Sequence, residues 1–119
     1  MRNSSAPRPE TLQKTNLVYE YTCKYGECEH LNSSYIGLTT TTLSRRLTMH
    51  LQSGAIKQHT RWDHNVDLTR EMLVRNTRII DLENDYNRLQ ILEALYIREK
   101  DPIINRQNTG IVRVLKLYA

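Results

Sequence analysis

The stretch that most limits how this chain can fold is Ser34-Tyr35-Ile36-Gly37-Leu38-Thr39-Thr40-Thr41-Thr42-Leu43-Ser44-Arg45-Arg46-Leu47-Thr48-Met49-His50. Tyr35 and Ile36 suit a pleated, half-buried strand. Gly37 lets the backbone turn or be approached closely. One of Thr40, Thr41 and Thr42 can cap a helix that follows. Leu43, Leu47 and Leu51 recur at i, i+4 and i+8 and make one apolar helical face. Arg46 and His50 are also i and i+4, on a different face of the same helix. The run predicts a short strand, a glycine and threonine turn, and a helix. A tyrosine at the strand end then meets an arginine and a histidine, a set that can hold a phosphate and move a proton.

The rest of the chain, 119 residues in all, suits one domain with a modest core. Leu17–Thr22 is rich in β-formers and predicts a strand. Cys23–Cys28 predicts a turn centred on Gly26, and polar Glu29–Ser33 leads to the Tyr35 strand. Strands joined this closely are expected to pair antiparallel. The helix after Gly37 should end near Gly54, with a second short helix over Ala55–His64. A helical turn is expected around Thr69–Val74 and a strand over Thr77–Asp81. Asp85–Lys100 is the clearest helix. Leu89, Leu92 and Tyr96 fall at i, i+3 and i+7, while Ile91, Ala94, Leu95 and Ile97 make it apolar nearly all round, so a central position is expected. Pro102 ends it. The expected fold is α+β, a small three-stranded antiparallel sheet flanked by helices. Met1–Thr15, polar and carrying Pro7 and Pro9, reads as a disordered tail or linker. Gly110–Tyr118 reads as a strand or a partner-docking tail.

The net charge of +4 is compatible with a polyanionic partner. Met1–Glu10 lacks the apolar core of a signal peptide, and nothing approaches a membrane span. An intracellular location is expected, which favours free thiols or metal over a disulfide for the two cysteines.

Glu93 is the most informative single residue, because Ile91, Leu92, Ala94 and Leu95 surround it. A carboxylate in such a helix must be paired, neutralised or bound to metal, or else occupy a surface notch. Tyr19 and Tyr35 lie on neighbouring strands. A phenol, with an unperturbed pKa of about 10, needs a helper to act as a base; the plainer alternative is two core tyrosines. Arg45 and Arg46 point about 100° apart on a helix, so one at most faces the Tyr35 strand end; both can equally belong to a solvated basic face. Cys23 and Cys28 have four residues between them, and so do His59 and His64. This spacing fits a tetrahedral zinc site. His30, Glu27 and Glu29 are competing donors, and unligated thiols with surface histidines are the alternative.

Together these residues resemble the GIY-YIG nuclease superfamily. Tyr35-Ile36-Gly37 matches the second half of that signature, and Leu17-Val18-Tyr19 keeps the final tyrosine of the first, with leucine in place of its glycine. Arg46, His50, Glu93 and the Pro102-Ile103-Ile104-Asn105 run match the elements that follow. The likeness covers Asn16–Gln107 and is closer still to the endonuclease domain of Penelope-like retroelements, which carries a comparable two-Cys, two-His zinc-binding insertion. It implies a metal-dependent DNA endonuclease working in a retrotransposon, joined to or acting with a reverse transcriptase, in the nucleus. Glu93 would hold Mg²⁺ or Mn²⁺. Tyr19 would be the general base with His50 as relay, and Arg46 would clamp the phosphate. Tyr35 would position the reactants and Asn105 would orient the site. Cys23, Cys28, His59 and His64 would bind Zn²⁺. Arg45, Lys57, Arg61 and Arg106 are candidate contacts to DNA phosphates. Two rival readings stay open: a zinc-stabilised nucleic-acid-binding module without activity, and a small α+β interaction domain without a nucleic-acid partner.

Overall fold

The structure, a computed structural model, describes residues Pro9–Gln107. The expectation for Gly110–Tyr118 lies outside them. Strand β1 (Leu17–Thr22) runs between β2 (Ser34–Thr39) and β3 (Thr77–Leu82), antiparallel to both. Its place in the middle follows from its side chains: Leu17, Val18, Tyr19 and Tyr21 are all fully buried. Alternate residues of a strand point to opposite faces, so one sheet face carries Leu17, Tyr19 and Tyr21 and the other Val18. Glu20 shares the Val18 side. It lies opposite Arg78 of β3, whose Nε and Nη2 donate to its carboxylate at 3.2 and 2.8 Å.

Helices cover both faces, which makes the fold α+β. On the Tyr19 face lie α2 (Leu43–Gln52), α3 (Ala55–His64) and α4 (Arg70–Asn76), which bury Leu43 and Leu47, Ile56, and Leu73 against it. On the other face, α5 (Tyr86–Lys100) packs Leu89 on Val18 and Ile36. Thr42, Thr69 and Asp85 cap α2, α4 and α5, accepting from the backbone N–H of Arg45, Met72 and Asn87. Asp101 closes α5 in the left-handed region, at φ 46°, just before Pro102.

Several expectations change. Gly37 is not in a turn: β2 runs through it to Thr39, and Thr40–Thr42 make the connection. Helix α5 is not central. Ile91 is 58% and Leu95 53% exposed, because the sheet takes only the side carrying Leu89, Leu92, Tyr96 and Ile97. Within Met1–Thr15, Pro9–Leu12 forms a helical turn (α1), and Leu12 packs on the core instead of belonging to a disordered tail. Helix α4 passes straight into β3 at Thr77, longer than the single turn expected. Among the described residues no helix is long and apolar enough to cross a membrane.

Candidate functional site

The centre of the site is set by strand register. Tyr19 lies directly opposite Gly37, and a Cβ on Gly37 would fall 2.6 Å from Tyr19 Oη and 2.8 Å from Cζ. The phenol therefore lies across the Gly37 backbone, in space that only glycine leaves open. Helix α2 then closes over it. The i, i+4 pair Arg46 and His50 reaches the same oxygen: Arg46 Nε donates to Tyr19 Oη at 3.0 Å, and His50 Nε2 is 2.6 Å away. The Tyr35 ring stands edge-on to His50, with centroids 5.4 Å apart, and 6.4 Å from the Tyr19 ring.

Electrostatics fixes the protons. Burial, then neighbouring Tyr35, pushes the Tyr19 phenol well above its usual range, and Arg46 pulls it back only in part. Tyr19 therefore keeps its proton. Burial and then the Arg46 cation hold His50 down to about 4, so the imidazole is neutral near pH 7. With its oxygen already accepting from Arg46, Tyr19 donates its hydroxyl proton to His50 Nε2, which places the ring's own proton on Nδ1.

Tyr19 is fully buried. The solvent-facing part is a cleft of about 270 Å³ lined by Tyr35, Arg46, Met49, His50, Ser53, Gly54 and Ala55. Glu93 reaches the site from α5, on the other side of the sheet. Burial raises its pKa, while the Leu38 backbone N–H and the Arg46 cation favour its charged form. Its charge in turn acts on both Tyr19 and Tyr35. Among the described residues it forms no ion pair within 4.0 Å. Asn105 holds the site from behind. Its Oδ1 accepts from Ile36 N at 2.7 Å and its Nδ2 donates to Ile36 O at 3.0 Å, which fixes the residue between Tyr35 and Gly37. The structure thus brings Tyr19, Tyr35, Arg46 and His50 together, with Glu93 in electrostatic reach and Asn105 as a backbone clamp.

A second cluster joins the end of β1 to α3. The ligand atoms of Cys23, Cys28, His59 and His64 all lie within 4.8 Å of one another, and these four could hold a metal ion such as zinc. Cys28 Sγ is 3.6 Å from His59 Nε2 and 3.4 Å from His64 Nε2, and Cys23 Sγ is 3.4 Å from His64 Nε2. Burial pushes the Cys23 thiol up to about 11; a bound cation would reverse this by taking the thiolate. The rival donors His30, Glu27 and Glu29 lie outside the quartet.

Sequence reasoning missed the groups that orient the quartet. His59 Nδ1 lies 3.1 Å from both Asp63 Oδ2 and Gln107 Oε1, the outward tether typical of a ligating imidazole. Asp63 was visible as an i+4 partner of His59, whereas Gln107 carried no local signal. Of the expected DNA contacts, Arg45 is exposed on α2, and Lys57 Nζ donates to the Gln52 carbonyl at 3.2 Å. Arg61 is paired with Asp67 at 3.0 Å and Arg106 with Asp101 at 3.5 Å. These exposed pairs are weak enough for a phosphate to displace. No family model matches the chain, and neither a curated protein nor a solved structure does.

His50 also makes stability depend on pH. An unfolded histidine binds a proton below about 6.5, whereas the folded one stays neutral down to about 4. The unfolded state binds more protons between those limits, so this contribution is complete above about pH 6.5 and is lost as pH falls toward 4. It amounts to about 3 kcal/mol. Urea unfolding at pH 7 and pH 4.5 should show a shallower pH dependence in His50→Asn than in the wild type. Equal slopes would exclude a buried neutral imidazole.

Proposed function

We propose that this chain is a metal-dependent DNA endonuclease of the GIY-YIG type, hydrolysing a phosphodiester bond as the endonuclease of a Penelope-like retroelement does, beside a reverse transcriptase. The observation that carries this reading is the meeting of Tyr19, Arg46 and His50 on one hydroxyl, with Glu93 in electrostatic reach. Pure binding has no use for a half-buried carboxylate aimed at an arginine and two phenols.

Arg46 is the phosphate clamp. It already faces the cleft and neutralises charge there, as a transition state gaining negative charge requires. As the phosphate draws Arg46 toward itself, Tyr19 Oη loses its cover. The phenol can then take a proton from water while passing its own to His50 Nε2 along the 2.6 Å contact. This relay suits a tyrosine that is too basic to ionise alone. Tyr35 lines the cleft and positions the reactants. Asn105 keeps Tyr35 and Gly37 in register through Ile36.

Glu93 fits a hard divalent cation: it is a lone, half-buried oxygen donor free of an ion pair among the described residues, and it stands outside the Cys/His quartet. Mg²⁺ or Mn²⁺ held there, with waters completing its shell, would polarise the phosphate. The sulfur and imidazole donors of the quartet suit Zn²⁺ in a structural role.

Nicking of supercoiled plasmid with Mg²⁺ at low salt tests the reading. Wild type should convert the plasmid to open circles, and Tyr19→Phe, which deletes one buried oxygen, should slow this by about 100-fold or more. The quartet favours one other reading, a zinc-stabilised binding module. Retention of DNA by a wild-type protein that never nicks it would select that reading.

A further inference from the structure

Helix α3 carries a feature that neither the catalytic cluster nor the metal quartet uses. Trp62, the chain's single tryptophan, is 66% exposed, the most of any large apolar side chain among the described residues. It lies on the stripe of α3 that begins at Ala55, a wall of the cleft, and continues through Gln58 at i+3 to Trp62 at i+7. Seven residues of helix rise about 10 Å, which is about three nucleotide steps along a stacked strand. Arg61, at i+3 from Gln58, borders this stripe. The adjacent acid, Asp63, is turned onto His59 and Gln107. His59 and His64 on the same helix both belong to the quartet, so a bound cation would tie this helix to Cys23 and Cys28.

We infer that Trp62 is a stacking platform for an unpaired base of the bound DNA, about two or three nucleotides from the phosphate in the cleft, so that the preferred substrate carries single-stranded or gapped DNA beside the cut. The inference rests on the DNA reading above and deepens it. A flat indole accepts any base face and needs no sequence-specific contact. A fully paired duplex hides its base faces within the stack and offers the ring nothing. A platform fixed at a set distance from the cleft therefore selects for unpaired nucleotides and also sets which phosphate is presented.

The single tryptophan is its own reporter. A labelled oligonucleotide, either single-stranded or fully duplex, is titrated at low salt with the full chain. Anisotropy reads binding, and indole fluorescence reads contact with Trp62. Binding of the single strand should quench the indole strongly, and the duplex should quench it weakly. Trp62→Ala should weaken single-strand binding about five- to 150-fold and leave duplex binding within about twofold, while Trp62→Tyr should recover most of the loss. Being exposed, Trp62 can be changed without loss of fold, which an unchanged melting temperature verifies. Single-strand binding without quenching, or equal weakening of both DNAs in Trp62→Ala, overturns the platform but leaves the nuclease reading standing. Failure of the wild type to bind either DNA overturns both.

Discussion

Glu93→Ala should lose at least about a thousandfold in Mg²⁺-dependent nicking while binding DNA as before. A metal polarising the phosphate is worth several kcal/mol of barrier, and each 1.36 kcal/mol is tenfold in rate. The loss should exceed that of Tyr19→Phe, because among the described residues Glu93 belongs to no cluster of three or more donors that could replace it. Its placement keeps the result clean. Burial already raises its pKa, so the folded state tolerates the charge and does not depend on it. Removal should leave the melting temperature near that of the wild type. Glu93→Gln, which keeps the shape but not the charge, should be about as inactive. Nicking by either variant within tenfold of the wild type would end the assignment of Glu93 as the metal carboxylate.

Stripping metal from the quartet should cost more stability than any single substitution described above. Structural zinc contributes about 10–16 kcal/mol in small zinc-finger peptides. Here the sheet core keeps part of the fold, so only a share of that appears. Even about 3 kcal/mol would lower the melting temperature of a domain of this size by about 12–24 °C. The loss follows from where the donors sit. Cys23, Cys28 and His59 are buried, so without a cation they face one another as partly satisfied polar groups. Thermal melts with and without a chelator, beside metal analysis giving about one equivalent per chain, check this. Cys28→Ser should resemble the chelated protein. A shift below about 3 °C would mean that the quartet is not a structural metal centre.

How much of this could be read in advance depends on the range of the interaction. Strand β1 was legible because Leu17–Thr22 is made of β-formers, and α2 because its leucines keep a helical period. The quartet and the odd acid Glu93 were legible because both are local anomalies of residue type and spacing. That Gly37 admits a close approach was legible, but not what approaches it, since that is a phenol on the neighbouring strand and depends on register. Periodicity also misplaced α5: an all-round apolar helix was expected to be central, yet a three-stranded sheet has width to cover only one of its sides. The burial of Tyr19 beneath Arg46 is likewise a product of packing. On the nuclease reading proposed above, it means that the phosphate would first have to draw Arg46 away before Tyr19 could meet water.

The Asn105 amide has one more effect. By bonding both the N–H and the C=O of Ile36, it occupies the outer rim of β2 as a neighbouring strand would. An open rim recruits other chains and seeds fibrils. A side chain from beyond α5 thus makes this rim a poor template for aggregation, and Asn105→Ala would expose it in a segment rich in β-formers.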